Sequence, residues 1–345
     1  MRRKHPALAA TLLTLCLGTC IFATACSPET KPDPTKPAQT ESDNKQTSGT
    51  KESDKDKENK TEEDKTSSEK QTNNGGKKED DAEDIIDQVT DTITAKFTSY
   101  EQNTNWQDKK DSTITLSDSG IKVDGGGAAA DGSVVTITKK GTYEITGSLT
   151  DGQIVVDVPD TDKVRLVFNG VDIASSTSAP VYIKSADKAV IILADGSENS
   201  VKDPGTYADK DCNAAIYSVC NLAFNGSGSL VVTGNYNNGI GSKDYLKFLG
   251  GKITVTALKN GLKGNDGVIV DKADLTVKAG KDAVKADQDK DPAKGFIYIK
   301  SGTLSITADD DGLQAVSAVK VLKDASITYS TGGKEVNCDG YVEVP

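Results

Sequence analysis

The sequence is almost empty of histidine, methionine and tryptophan, with one of each in 345 residues. The lone histidine, His5, sits in a leader-like segment. The rest of the chain therefore has no imidazole for a catalytic triad, a proton shuttle or a histidine zinc site. Arginine is nearly absent too: beyond Arg2 and Arg3 there is only Arg165. With a net charge of -11, this excludes the basic surface that nucleic-acid binding requires. Aromatics make up 5%, so a broad aromatic sugar platform is out of reach. The available rings are Tyr207, Tyr217, Tyr236, Tyr245 and Tyr298, and Tyr236, within Gly234-Asn235-Tyr236-Asn237, is the best placed to be exposed. Beyond Cys26 the cysteines are Cys212, Cys220 and Cys338, with no Cys-x-x-Cys spacing for a metal. Cys212 and Cys220 read as small buried thiols; a disulfide between them is the alternative.

One long apolar run is present, from Ala7 to Ala25, preceded by Arg2, Arg3 and Lys4 and ending in Ala23-Thr24-Ala25-Cys26. A basic start, an apolar middle and small residues at the end make a secretory signal over residues 1–25. Cysteine directly after the small residues resembles the lipobox of bacterial lipoproteins. That resemblance implies cleavage before Cys26 and lipid attachment to its sulfur, which anchors the chain on the extracellular face of a bacterial membrane. Loss of the three leader charges leaves the mature chain near -14. Residues 26–81 hold Lys, Glu, Asp, Ser, Thr, Pro and Asn with essentially no apolar residue, which predicts a disordered tether. Ile85, Ile86, Val89, Ile93 and Phe97 show a weak helical period, so residues 82–106 are expected to form a helical cap, with Trp106 against the first coil.

The remaining residues, 107–345, repeat. Asn238-Gly239-Ile240 recurs 22 residues later as Asn260-Gly261-Leu262, then after 22 more as Asp282-Ala283-Val284, then after 29 as Asp311-Gly312-Leu313. The longer step is one unit plus seven residues, read as a loop at 288–294 that carries Pro292. Each unit holds short runs of period-two alternation, such as Ile253-Thr254-Val255-Thr256. Two apolar ladders follow: Leu246, Val268, Ile297, Val319, and Ile253, Leu275, Leu304, Ile327. A short fixed period built from strand-sized pieces predicts an all-β solenoid, a parallel β-helix with three strands per coil. Equivalent residues then stack about 4.8 Å apart. Asn238, Asn260, Asp282 and Asp311 share one column, Asp244 and Asp266 a second, and Asn265 and Asp287 a third. Stacked carboxylates must be protonated, hydrogen-bonded or bridged by a cation, and calcium suits such an oxygen set. Amide ladders without metal are the plainer reading of Asn238 and Asn260. Gln288 stands where Asp would continue the second column, so Asp287, Asp289 or Asp291 could supply the last oxygens.

Asp195-Gly196-Ser197-Glu198-Asn199, Ala215-Ile216-Tyr217-Ser218, Asn238-Gly239-Ile240 with Ser242-Lys243-Asp244, and Asn260-Gly261-Leu262-Lys263-Gly264-Asn265-Asp266 together resemble a bacterial cell-surface carbohydrate-binding domain family. The resemblance runs from about Trp106 to Gly333. It implies a pectate-lyase-like right-handed β-helix with bound calcium that binds cellulose-like and acidic-sugar polymers. Expected metal ligands are Asp244, Asp266, Asn265, Asp282, Asp287, Asp311, Asn238 and Asn260; expected glycan contacts are Tyr236, Lys243, Lys263 and Lys285. The leading reading is a monomeric, lipid-anchored protein that binds a cell-wall polysaccharide and does not cleave it. Calcium beside a lysine base is also the minimal kit for a pectate-type lyase. A surface adhesin or spacer is the third reading.

Overall fold

The structure, a computed structural model, describes residues 87–89, 92–94, 97–208 and 210–345. The leader, Cys26 and the tether lie outside the described residues. From Gln153 onward the chain winds as a three-faced coil. Gln153–Asp157, Val181–Ser185, Ala214–Ser218, Asn238–Ser242, Leu262–Gly264, Val284–Ala286, Leu313–Ala315 and Val336–Cys338 stack in parallel as the first face. Lys188–Leu193, Asn221–Gly226, Tyr245–Phe248 and Gly267–Val270 belong to the second face. Glu198–Lys202, Ser229–Gly234, Lys252–Ala257 and Ala273–Ala279 belong to the third. The long strands Lys163–Ala174, Phe296–Ala308 and Ala318–Thr331 turn the corner between the second and third faces.

Both apolar ladders stand in register. Leu246 pairs with Val268, Val268 with Ile297 and Ile297 with Val319. Ile253 pairs with Leu275, Leu275 with Leu304 and Leu304 with Ile327. On the first face, Ile216, Ile240, Leu262, Val284 and Leu313 form the inward column. These five are fully buried, and each contributes about 1.5–3 kcal/mol. Phe224 and Phe248 stack inside the coil with centroids 5.2 Å apart. The seven extra residues fall between Ala286 and Phe296, where two residues, Asn265 and Asp266, suffice one coil earlier.

The expected helical cap is not what forms. Asp87–Val89 and Thr92–Thr94 pair as antiparallel strands, in keeping with β-branched Val89, Thr92, Ile93 and Thr94. Helix is confined to one turn, Ser99–Gln102, closed by a capping box between Thr98 and Glu101. The coil's first end is instead closed by antiparallel pairs: Ser112–Leu116 with Lys122–Gly125, and Ala128–Asp131 with Val134–Ile137. Cys212 and Cys220 are both buried and no disulfide joins them, so that alternative falls.

Residues 97–109 act as a strap across the outer side of the second face. Phe97, Tyr100 and Trp106 pack on Val167, Val190, Ile192, Ala194, Ala223 and Leu249. Trp106 thus rests several coils further along than the first. Glu101, fully buried, lies 3.0 Å from the Lys188 ammonium and 3.1 Å from that of Lys247. The Arg165 guanidinium stacks 3.6 Å over the Tyr100 ring and donates to the Tyr100 carbonyl at 3.1 Å. Removing one partner of a buried charge group costs far more than the group itself contributes. Glu101→Gln should therefore destabilise the fold by about 3 kcal/mol, lowering the melting temperature by roughly 8 °C; an unchanged calorimetric melt would show that the strap is not clamped by this charge.

Candidate functional site

The corner where the third face meets the first carries the Asn/Asp column. Asn238 Nδ2 donates to Asn213 Oδ1 at 3.3 Å, and Asn260 Nδ2 donates to Asn238 Oδ1 at 2.9 Å. This is an amide ladder, as the plainer reading had it. It then changes character. The Asp282 carboxylate accepts from the Asp311 N–H at 3.3 Å and the Lys285 ammonium at 2.8 Å. Asp311 accepts from the Lys334 N–H at 2.8 Å and from Asn337 Nδ2 at 2.6 Å. Asp310 stands beside them, exposed, and one carboxylate oxygen from each of Asp282, Asp310 and Asp311 falls within a 4.8 Å cluster. One rung away the buried Asn260 Oδ1 has no hydrogen-bond donor. Three carboxylates and an unsatisfied amide oxygen are the donor set of a hard divalent cation. Asp310 was not among the expected residues, because its run of three aspartates, 309–311, reads as a solvated turn.

Asp244 and Asp266 occupy the opposite corner, between the first and second faces. They stand in vertical register, since Ser242 pairs with Gly264 and Tyr245 with Gly267. Burial, and then the Asp266 charge, raise the Asp244 carboxyl above its ordinary value. The cation serving Asp266 is a side chain: Lys294, from the seven-residue loop, reaches its Oδ2 at 2.7 Å. That bond to Asp266 raises the Lys294 ammonium in turn. Gln288, on the same loop, reaches Asp266 Oδ1 at 3.5 Å. Asp287 pairs with Lys263 at 2.7 Å, while its Oδ1 is buried without a donor.

The first face also has an outward column. Tyr182, Tyr217, Gly241, Lys263, Lys285, Gln314 and Asn337 stand one above another. At Gly241 the column has no side chain. A Cβ there would lie 3.1 Å from Ala214 Cβ and 3.5 Å from both Tyr217 Cδ2 and Asn213 Oδ1. The gap opens a cavity of about 390 Å³ lined by Asn213, Tyr217, Gly241, Ser242, Lys243, Lys263 and Asn265. Lys243 is exposed and pairs with no carboxylate among the described residues. Tyr217 is itself packed in a cluster with Ala179, Tyr207, Cys212 and Ala214. Burial pushes the Tyr217 hydroxyl up to about 12, so it is a neutral donor at physiological pH.

The groove thus gathers Lys243, Lys263 and Asn265 from the expected residues and adds Asn213, Tyr217 and Gly241. Tyr236 lies elsewhere. It stacks on Tyr207 with centroids 4.1 Å apart, and the Tyr207 hydroxyl donates to Asp203 at 2.7 Å. Lys285 faces Asp282 rather than the cavity. Tyr217 was among the available rings; strand parity was the signal for Gly241, which shares the outward phase of Tyr217 and Lys263. In Asp195-to-Asn199, Asn199 is a structural staple. Its Oδ1 accepts from the N–H groups of Gly170 and Val171, and its Nδ2 donates to the Ser229 carbonyl, joining three coils.

A family model described as carbohydrate-binding domain-containing protein matches residues 131–343. A carbohydrate-binding domain-containing protein of Acetivibrio thermocellus is 41% identical over 215 residues, which are 61% of this chain and 75% of that protein. Among solved structures, the gadolinium derivative of a polysaccharide lyase-like protein from C. thermocellum is similar at a TM-score of 0.67 and 38% identity. The match covers 68% of this chain and 97% of that one.

The raised Asp244 carboxyl carries a sign. A carboxyl whose pKa is raised by folding takes up protons on folding, so stability falls as pH rises from the unfolded value through the raised one. Above that window the ionised side chain opposes folding. Asp244→Asn should raise the melting temperature in chelator at pH 7 by about 2 °C, and the gain should vanish toward pH 4; a loss of stability at pH 7 would contradict this electrostatic account.

Proposed function

The chain belongs to the family of carbohydrate-binding domain-containing proteins, with a polysaccharide lyase-like fold, and from that premise we propose that it binds an acidic polysaccharide across the groove at Gly241. The observation that carries this reading is the missing side chain in an otherwise filled outward column, flanked by a tyrosine on one side and lysines on the other. A sugar ring set over Gly241 meets the Tyr217 ring edge and the amides of Asn213 and Asn265. The Lys243 and Lys263 ammonium groups are placed to receive a uronate carboxylate, and such charge-assisted bonds are stronger than neutral ones.

In this proposal the coil is right-handed, and a calcium ion is held by Asp282, Asp310 and Asp311 with Asn260 at its edge. The ion would neutralise carboxylates that the register forces together. The similar structure is described as a gadolinium derivative, and gadolinium is a hard ion of the oxygen-liganded kind. Asp244 and Asp266 belong to a second corner, where Lys294 already supplies positive charge, so calcium is assigned there less directly. Binding is favoured over cleavage because Lys263 and Lys285 are each tied to a carboxylate of the chain, Asp287 at 2.7 Å and Asp282 at 2.8 Å, instead of standing open to a substrate proton. The sequence adds the cellular setting: a lipid on Cys26 and a polar tether hold the coil outside a bacterial membrane.

Isothermal titration with a galacturonate oligosaccharide tests the groove. Replacing Lys243 and Lys263 together by alanine should weaken binding about tenfold or more at low salt; equal affinity would refute the assignment. The metal is tested separately. Calcium in hundredfold excess over its dissociation constant should stabilise the wild type by about 2.7 kcal/mol. Asp310→Asn, at an exposed position, should abolish that gain while leaving the melt in chelator unchanged; a gain of undiminished size would place the ion elsewhere.

A further inference from the structure

The strap creates a second concavity that the family match does not reach. Trp106 lies outside residues 131–343. Its ring is half-buried against the outer side of the second face and helps to line a cavity of about 360 Å³. The opposite wall is the turn from the second to the third face, which contributes Asp195, Asn225 and Ser227. Asn105 and Gln107, beside the tryptophan, complete the polar rim.

Two features of this cavity define its ligand. First, the aromatic is fixed. Glu101 is clamped by Lys188 and Lys247, Asn225 Nδ2 donates to the Glu101 carbonyl at 2.8 Å, and the Asn105 N–H is held by Asn103 Oδ1 at 2.9 Å. A platform already held in place loses little freedom on binding. Second, the lining pairs an apolar part, Trp106 with Ile192, Leu193 and Ala194, with amides, two hydroxyl residues and a single carboxylate. The Asp195 carboxylate is exposed and holds the Ser227 hydroxyl at 2.7 Å. A pyranose whose hydroxyls are equatorial presents that same division: C–H groups on its faces and hydroxyl donors around its edge. No cationic side chain lines the cavity, and Asp195 repels an anionic sugar.

We propose that the cavity between Trp106 and the Asp195–Ser227 turn is a second saccharide subsite, selective for neutral β-linked pyranose oligosaccharides. It is separate from the Gly241 groove, which lies on another face and carries lysines in place of a carboxylate.

Trp106 is the only tryptophan in the chain, so its fluorescence reports on this cavity alone. Titration of the mature chain with cellohexaose should give a saturable change in emission. That change should keep its midpoint when Lys243 and Lys263 are replaced by alanine. Asp195→Ala should shift the midpoint about tenfold upward, as expected for loss of a charge-assisted hydrogen bond, with an unaltered thermal melt. Emission that stays flat to millimolar cellohexaose, or a midpoint unmoved by Asp195→Ala, overturns the proposal. A galacturonate titration on the same samples separates the two sites. Calorimetric binding of the acidic sugar beside a silent Trp106 refutes this subsite alone, whereas a Trp106 response without acidic-sugar binding refutes the groove alone.

Discussion

Vertical register is the constraint from which the rest of this molecule follows. In a parallel coil each residue lies directly over its counterpart one turn away, at strand spacing. Apolar residues gain from this, and the interior becomes continuous columns of Ile, Leu and Val. Acidic residues lose, because like charges are held together by the backbone hydrogen bonds of the ladder. The chain answers in three ways. It replaces carboxylate by amide at Asn238 and Asn260, where the column becomes a hydrogen-bonded ladder. It brings in lysines, from the neighbouring strand at Lys285 and from an inserted loop at Lys294. At Asp282, Asp310 and Asp311 it keeps three carboxylates close, with Lys285 engaging Asp282 alone.

The same constraint makes a groove inexpensive. A solenoid face is a set of parallel tracks, and one residue without a side chain opens a gap in a track without disturbing the ladder. Gly241 is that residue, and the neighbours above and below it, Tyr217 and Lys263, become walls by position alone. The second face solves a different problem. Its outer side is apolar at Val167, Val190 and Ile192, so it needs a cover, and the strap supplies one. Covering that face carries the single tryptophan to its place beside the turn at Asp195.

Much of this was legible in the sequence because a repeat exposes its own register. The period of 22 fixed which residues stack, the strand parity fixed which of them point inward, and the step of 29 placed the inserted loop. Asp244 over Asp266 followed from the same arithmetic. The strap was not legible. Its local pattern around Ile93 and Phe97 reads as a helix, and the outer-face residues it covers look like ordinary strand positions until the winding is known. Glu101 lies 87 residues from Lys188 and 146 from Lys247, and no local pattern announces that pairing. Lys294 was equally hidden: a lysine in a charged loop gives no sign that it turns back to Asp266. Tyr236 was misjudged because exposure was inferred from glycine and asparagine neighbours, whereas Tyr207, between the strands Glu198–Lys202 and Ala214–Ser218, stacks against its ring.

The outward track of the first face is proposed to carry the sugar. The most direct measurement is the crystal structure of the chain grown with calcium and a galacturonate oligosaccharide. It should show a sugar ring over Gly241, with a carboxylate at Lys243 or Lys263, and a metal ion among Asp282, Asp310 and Asp311. An ordered oligosaccharide bound elsewhere, with that gap filled only by solvent, would contradict it.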